Sequence, residues 1–239
     1  MVANPCFAHR GWSGRAPENT MAAFRMALGN SRVTGIELDV QLSRDGQPVV
    51  IHDYTLERTT DGSGWVKDTT FTELARLDAG SWYSPAFAKE RIPHLDEVLR
   101  LAKHRTMLNL ELKTTGGLYP ELASVVAERI IRNGMEQQVV VTSFDHEAAR
   151  QVHSLAPAIR TGLLFEGLPP MSKEQLAAAG AAMLSVHYRF ITRELADWCE
   201  AQQIGLMAWT VDEPEAIQAL AAWSPAIWIC TNHPDRLLT

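Results

Sequence analysis

The chain has 239 residues, 46% hydrophobic and 21% charged, with a net charge of −6, a composition ordinary for a soluble globular protein and a length that suits one (β/α)₈ barrel. It has no basic run, which argues against a nucleic-acid partner, because neutralising phosphates takes clustered Lys and Arg. No stretch approaches the ~20 apolar residues of a membrane span, so stable membrane insertion is not expected.

The first residues, "MVANPCFAHRG", lack a basic stretch followed by an apolar core and do not read as a signal peptide. Within them "PCFAH" (5–9) is the first strand candidate, and "ENTMAAFRMALG" (18–29) is the first helix. "GIELDVQ" (35–41) follows, with Ile36, Leu38 and Val40 alternating with Glu37, Asp39 and Gln41. Strand side chains alternate faces, so Glu37 and Asp39 share one side, about 7 Å apart along the chain. Residues 42–94 then break the rhythm: "VVIHD" (49–53) leads into the turn-rich "TTDGSGW" and "LDAGSWYSP". That is too long for a plain βα loop and reads as an insertion with only short regular pieces.

Helix and strand candidates then alternate: "LDEVLRLAKH" (95–104), "TMLNLELK" (106–113), "YPELASVVAERIIRNG" (119–134), "QVVVTSF" (138–144), "DHEAARQVHSLA" (145–156) and "IRTGLLF" (159–165). "SKEQLAAAG" (172–180), "AMLSVHY" (182–188), "TRELADWCEAQQ" (192–203), "GLMAWTV" (205–211), "EPEAIQALAAW" (213–223) and "AIWICTN" (226–232) complete the series. Several helices open on Ser, Thr, Asp or Asn, or on Pro near the first turn, and Asn133-Gly134 is a stop signal. Strands that alternate with helices form a parallel sheet. Eight of them fit a closed α/β TIM barrel better than an open sheet, and no GxGxxG follows the first strand to support a dinucleotide fold. The three cysteines, Cys6, Cys199 and Cys230, are far apart and form no CxxC pair. They are expected to be buried reduced thiols, which fits a cytoplasmic protein.

"LNLELK" repeats the pattern of "GIELDVQ", placing Asn109, Glu111 and Lys113 on one face. Barrel strands are covered on both sides, so polar stripes there need compensation. Barrel active sites lie at the C-terminal ends of the strands. Asp39, Lys113, His9 and His52 fall near such ends, with Glu37 and Glu111 one pleat below. If the two strands are near neighbours, Glu37, Asp39 and Glu111 converge. They must then take up protons, pair with cations or bind a metal. All-oxygen ligation suits Mg²⁺ or Ca²⁺ rather than zinc. Arg10 offers a planar fork for phosphate or carboxylate, and Lys113 a point charge. Two imidazoles can divide acid and base duty near neutral pH. Together these groups suggest phosphoester chemistry. The remaining histidines, such as His94, His146 and His187, are read as structural.

The stretches "AHRGWSGRAPENTMAAF", "GIELDVQLSRDGQPVVIHDYTLERTTDGSG", "LDAGSWYS", "LNLELK", "VTSFD" and "AWTVDEP" closely resemble the glycerophosphodiester phosphodiesterases, from about residue 6 to residue 235. The resemblance implies a (β/α)₈ barrel formed by one domain over residues 1–239, with a small insertion at about 54–93. It implies divalent-metal-assisted hydrolysis of glycerophosphodiesters, such as glycerophosphocholine or glycerophosphoethanolamine, to glycerol 3-phosphate and an alcohol. It makes His9 and His52 the acid–base pair, Glu37, Asp39 and Glu111 the metal ligands, and Arg10 and Lys113 the phosphate contacts. Glu18 of "PENT" then supports the site, with Asn19 a candidate cap for the first helix. Trp209 sits where the family has an aromatic against the glycerol moiety, and Phe144 is a candidate for the same pocket. We expect His52 to act as base and His9 as acid, an order the spacing leaves open, with either water or the neighbouring glycerol hydroxyl attacking. The partner is a small-molecule diester, and the particle a monomer or homodimer.

Three departures stand out. Asn232 lies where the family commonly has Asp, Asp212 where Asn is frequent, and "WSPAI" replaces a usual Gly-Val-Asp. Two other readings are a lysophospholipase D-like enzyme and a non-catalytic barrel that binds a phosphodiester. The first needs an apolar groove, and the insertion's Trp65, Phe71, Trp82, Tyr83 and Phe87 are expected instead to build its core. The second should have lost a catalytic or ligand residue, and none is missing.

Overall fold

A computed structural model describes residues 2–169 and 171–238; Met1 and Thr239, the ends of the expected domain span, lie outside the described residues. The strands are β1 (Cys6–Ala8), β2 (Gly35–Leu42), β3 (Pro48–Val50), β4 (Met107–Leu112), β5 (Val139–Ser143), β6 (Arg160–Phe165), β7 (Met183–His187), β8 (Gly205–Trp209) and β9 (Trp228–Thr231). The helices are α1 (Met21–Leu28), α2 (Phe71–Leu74), α3 (Leu95–Ala102), α4 (Leu122–Asn133), α5 (His146–Leu155), α6 (Ser172–Ala179), α7 (Arg193–Ala201), α8 (Pro214–Trp223) and α9 (Asp235–Leu238).

Sheet order runs β1-β9-β8-β7-β6-β5-β4-β2, and β1 also pairs with β2, so these parallel strands close into a barrel. β3 is the exception: it lies antiparallel on the end of β2, with Val40 opposite Val50. It is one of the short regular pieces expected after residue 42, and His52 sits past its end in a turn. Outward-facing residues such as Ile36, Leu38, Leu108 and Leu110 pack under the helices, and Leu163, Leu184 and Ile229 do the same on the far side. Phe7, Val140, Met183, Met207 and Cys230 fill the barrel interior. Phe7 stacks on Trp228 with ring centroids 4.6 Å apart. A Cβ at residue 35 would meet the Phe7 ring at 2.2 Å, so the floor of the barrel requires Gly35. All three cysteines are free and buried. Burial pushes the Cys6 thiol up to about 12 and the Cys199 thiol up to about 11.

Helix ends follow local chemistry. Thr192 and Asp145 cap α7 and α5 with their side chains, and Gly134 ends α4 in the left-handed region. α1 begins later than expected, because Thr20 is its cap and receives the Ala23 N–H. Asn19 is thus not the cap. Between β3 and α3 the chain forms 3₁₀ turns at Val66–Asp68 and Pro85–Phe87 besides α2. Its core is aliphatic: Val49, Ile51, Leu56, Val66, Leu74 and Ile92, with Phe71 against them. Trp65, Trp82 and Tyr83 are exposed, which corrects the expectation that these aromatics build it. No helix among the described residues is long and apolar enough to cross a membrane.

Candidate active site

The parallel register of β2 on β4 sets Asp39 beside Glu111 and Glu37 beside Asn109. Both strands turn their polar stripe into the barrel. The carboxylates of Glu37, Asp39 and Glu111 consequently offer oxygens that all lie within 4.8 Å of one another. At that spacing each charged pair repels by roughly 3–4 kcal/mol, even at an effective dielectric near 20. Burial, then Asp39 and Glu111, push the Glu37 carboxyl well above its ordinary value. Burial and Asp39 raise Glu111 to about 7. Burial opposes the ionised form of Asp39 as well, yet Arg10, His52 and Lys113 hold its carboxyl below the usual range. Asp39 Oδ1 is buried with no hydrogen-bond partner among the described residues. A crowded all-oxygen cradle with an orphaned carboxylate oxygen fits a hard divalent cation.

Two cations flank the cradle. Lys113 Nζ donates to Glu111 Oε1 at 2.8 Å and stands 3.9 Å from Asp39 Oδ1. Arg10 Nε lies 3.4 Å from Asp39 Oδ2, and Arg10 Nη1 donates to Glu18 Oε1 at 2.7 Å. The backbone here is strained: Arg10 and Asn19 have φ of 54° and 56°, in the left-handed region. That geometry has a use. It aims the Arg10 N–H at Glu37 Oε2 (2.9 Å), and the Asn19 N–H bonds the Arg10 carbonyl (2.9 Å). The freed Asn19 side chain donates to Asp39 Oδ2 at 2.8 Å.

The histidines face the same cavity, of about 100 Å³, whose lining also includes Arg10, Glu37, Glu111 and Lys113. His52 Nδ1 lies 2.6 Å from Asp53 Oδ1, and its Nε2 is 3.3 Å from Lys113 Nζ. A carboxylate only accepts, so His52 carries a proton on Nδ1. His9 Nδ1 lies 2.7 Å from Asn232 Oδ1, with Nε2 3.8 Å from Glu37 Oε2. Burial, with Arg10 beside it, lowers His9 to about 4, and burial also lowers His52. Phe144 and Trp209 line the cavity and meet edge to face at 5.7 Å.

Several residues were not singled out from sequence. Gln41 shares the face of Glu37 and Asp39 but has another task. Its Nε2 donates to the carbonyls of Ile51, His52 and Asp53 (3.0, 3.0 and 2.8 Å), fixing the turn that carries His52, and its Oε1 accepts from Tyr119 (3.0 Å). Arg58, from the insertion, bonds Asp53 through Nε (2.6 Å) and Glu18 through Nη1 and Nη2 (both 2.8 Å). Glu18 therefore lies between two guanidinium groups rather than facing the cavity. Ser185 and Trp209 line the cavity, and Ser185 Oγ and Trp209 Nε1 are buried without a partner among the described residues. Two of the three departures, Asp212 and Asn232, face each other: Asn232 Nδ2 donates to Asp212 Oδ2 at 2.7 Å. Arg58→Met is expected to lower kcat by about tenfold, because the partners of His52 and Arg10 lose their shared clamp. Unchanged steady-state kinetics in that variant would remove Arg58 from the site.

The family profile described as "Glycerophosphoryl diester phosphodiesterase family" matches residues 9–236. A glycerophosphodiester phosphodiesterase of Caldanaerobacter subterraneus is 39% identical over 97% of this chain and 95% of its own length. Among solved structures, an Oleispira antarctica phosphodiesterase in complex with the product sn-glycerol-3-phosphate superposes with a TM-score of 0.91 at 32% identity, covering 98% of this chain and 95% of that one. A Silicibacter pomeroyi structure, named a putative glycerophosphoryl diester phosphodiesterase, gives a TM-score of 0.87 at 28% identity, covering 99% of this chain and 92% of that one.

Proposed function

The chain belongs to the glycerophosphoryl diester phosphodiesterase family, and we propose that it hydrolyses glycerophosphodiesters to glycerol 3-phosphate and an alcohol with one divalent cation, Mg²⁺ or Ca²⁺. One observation carries this reading: two buried carboxylates and a partly buried third converge beside a cavity lined by two histidines and two cations. Glu37, Asp39 and Glu111 would hold the cation, which when bound supplies Lewis-acid polarisation of a phosphoryl oxygen. Arg10 and Lys113 bind the other phosphoryl oxygens and balance charge as it builds there. His52 takes the proton of the attacking hydroxyl at Nε2, and Asp53 on its Nδ1 stabilises the resulting imidazolium. The new P–O bond displaces the alcohol, whose alkoxide receives the Nε2 proton of His9 in its doubly protonated form, and Nε2 then regains a proton from solvent. The attacking group is water, or the adjacent glycerol hydroxyl by way of a cyclic phosphate that water then opens. Ser185 Oγ and Trp209 Nε1 are the polar atoms available to the glycerol hydroxyls. Glu18 holds Arg10 in place from outside. Free buried thiols support a cytoplasmic setting, in one domain with its insertion at about 54–93.

A panel of glycerophosphocholine, glycerophosphoethanolamine and lysophosphatidylcholine, each with defined metals, tests the proposal by glycerol 3-phosphate release from the first two and choline release from the lysolipid. Release from the first two that EDTA abolishes is expected; no release with any metal sinks it, and faster turnover of the lysolipid favours the lysophospholipase D reading. The carboxyl pKa shifts add a pH dependence. Glu111 keeps its proton to about 7, so cation binding must displace protons. Apparent cation affinity is therefore expected to rise with pH up to about 7. The metal-free native chain also holds those protons more tightly than the unfolded chain. Its Glu111 contribution to stability should accordingly fall as pH climbs from 4.5, the ordinary value, to about 7, while His9, lowered to about 4, contributes with the opposite sign, so the Glu111 part is read as the difference from a Glu111→Gln variant. Calorimetric titration and EDTA melts across that range check both, and flat profiles contradict them.

A further inference from the structure

We propose that Asp212 is a positioning residue: acting through Asn232, it fixes His9 in the tautomer that carries its proton on Nδ1 and presents Nε2 to the cavity. Building on the reading of His9 as a proton-transfer group, the inference names what sets the atom at which the proton moves. The Asp212 carboxylate gathers three donors. Thr231 Oγ1 and the Asn232 N–H reach its Oδ1, each at 2.9 Å, and Asn232 Nδ2 reaches its Oδ2 at 2.7 Å. By shape alone the Asn232 amide could sit either way round. A carboxylate only accepts, so the NH₂ end must face Asp212 and the oxygen must face the other way. Reversing the amide would press its oxygen against the carboxylate oxygen and turn its NH₂ toward His9.

Asn232 Oδ1, so aimed, lies 2.7 Å from His9 Nδ1 and 2.7 Å from Ser13 Oγ. A carbonyl oxygen accepts, so the facing ring nitrogen of His9 must be N–H. Ser13 cannot substitute for it, because its one hydroxyl proton is shared between that oxygen and the His9 carbonyl at 2.8 Å. The backbone locks the same unit: the His9 N–H bonds the Thr231 carbonyl and the Gly14 N–H bonds the Asn232 carbonyl, both at 2.9 Å. The ring plane of His9 is thereby tied to the end of β9, and Nε2 is the nitrogen left to exchange a proton. Fixing a histidine tautomer through the hydrogen bond on its other nitrogen is a general device of proton-transfer sites. Here the carboxylate acts one residue removed, with a neutral amide against the ring.

The test uses the full chain labelled with ¹⁵N-histidine, with and without magnesium. Long-range ¹H–¹⁵N spectra read the His9 tautomer, assigned by His9→Gln. Kinetics on glycerophosphocholine are measured for Asp212→Asn, Asn232→Asp and the double exchange. Wild-type His9 is expected as Nδ1–H. Asp212→Asn, which leaves the amide free to turn, should mix the tautomers and lower kcat by roughly 10- to 100-fold, with KM changed less than about threefold. Asn232→Asp sets two carboxylates face to face and should be worse still. The double exchange restores a single carboxylate, now on the Nδ1–H itself. It should recover the tautomer and bring kcat to within about threefold of the parent, in keeping with strong coupling between touching residues. Nε2–H in the wild type, an unchanged tautomer and kcat in Asp212→Asn, or a double exchange no better than its weaker single variant would each overturn the proposal. If Asn232→Asp fails to fold, Asp212→Asn and the double exchange still decide. If no diester is turned over, the proposed function falls while the spectra alone judge the tautomer.

Discussion

Glu37→Gln is expected to lower kcat/KM on glycerophosphocholine by roughly 10³-fold while leaving the metal-free protein at least as stable as the parent. The two effects have one cause. Glu37 is the carboxyl whose charge is most opposed, by burial and then by Asp39 and Glu111. The amide removes that repulsion, and its oxygen still accepts the Arg10 N–H that Glu37 Oε2 receives at 2.9 Å. What disappears is one of three charged oxygens for the cation. Saturation at 100 times Kd stabilises a protein by about 2.7 kcal/mol, and the variant should lose most of that gain. A carboxylate kept for structure alone predicts the opposite pattern. Melts in EDTA and in magnesium, set beside the kinetics, decide the matter. A variant within about threefold of parental kcat/KM, or one melting more than about 4 °C lower in EDTA, would contradict the cradle.

Replacing either histidine should cost roughly 10²- to 10⁴-fold in kcat, and the choice of leaving group should separate their roles. His52→Ala removes the proposed base, so its deficit should persist on every diester. His9→Ala removes the proposed acid, so its deficit should shrink when the leaving group is p-nitrophenolate, which departs without a proton. KM should move little in either variant, because Arg10 and Lys113 remain in the cavity. A deficit that shrinks for His52→Ala and not for His9→Ala reverses the assigned order. Parental rates in either variant remove that histidine from the mechanism.

The inward stripe of β2 and β4 was legible because strand alternation is a local property: "GIELDVQ" and "LNLELK" each declare which side their carboxylates occupy. That the strands are neighbours was not local. β3, the insertion and α3 lie between them in sequence, and only the closed barrel sets Asp39 beside Glu111. Asn19 departs from expectation because Asn before a helix ordinarily caps it. A left-handed φ of 56° turns its side chain to Asp39 instead, and Thr20 takes the cap. Gln41 had no assignment from its strand, since its partners are backbone carbonyls that carry no sequence signal. Arg58 was hidden in a turn-rich stretch without periodicity. In the sequence Asp212 and Asn232 are separate departures, and only their 2.7 Å contact shows that they are one arrangement.

Arg10 and Lys113 stand within ion-pair distance of Asp39, and Lys113 also of Glu111, which leaves a formal excess of one negative charge over three carboxylates. A raised Glu37 or Glu111 accounts for that remainder by keeping a proton. The order of assembly follows. Small zinc modules draw their folding energy from the metal and collapse without it. This barrel has its own neutralising groups and a core that owes nothing to the ion. On the proposed reading, folding can be completed on synthesis and loading can follow, so a cell short of divalent cations would accumulate a dormant enzyme rather than a denatured one.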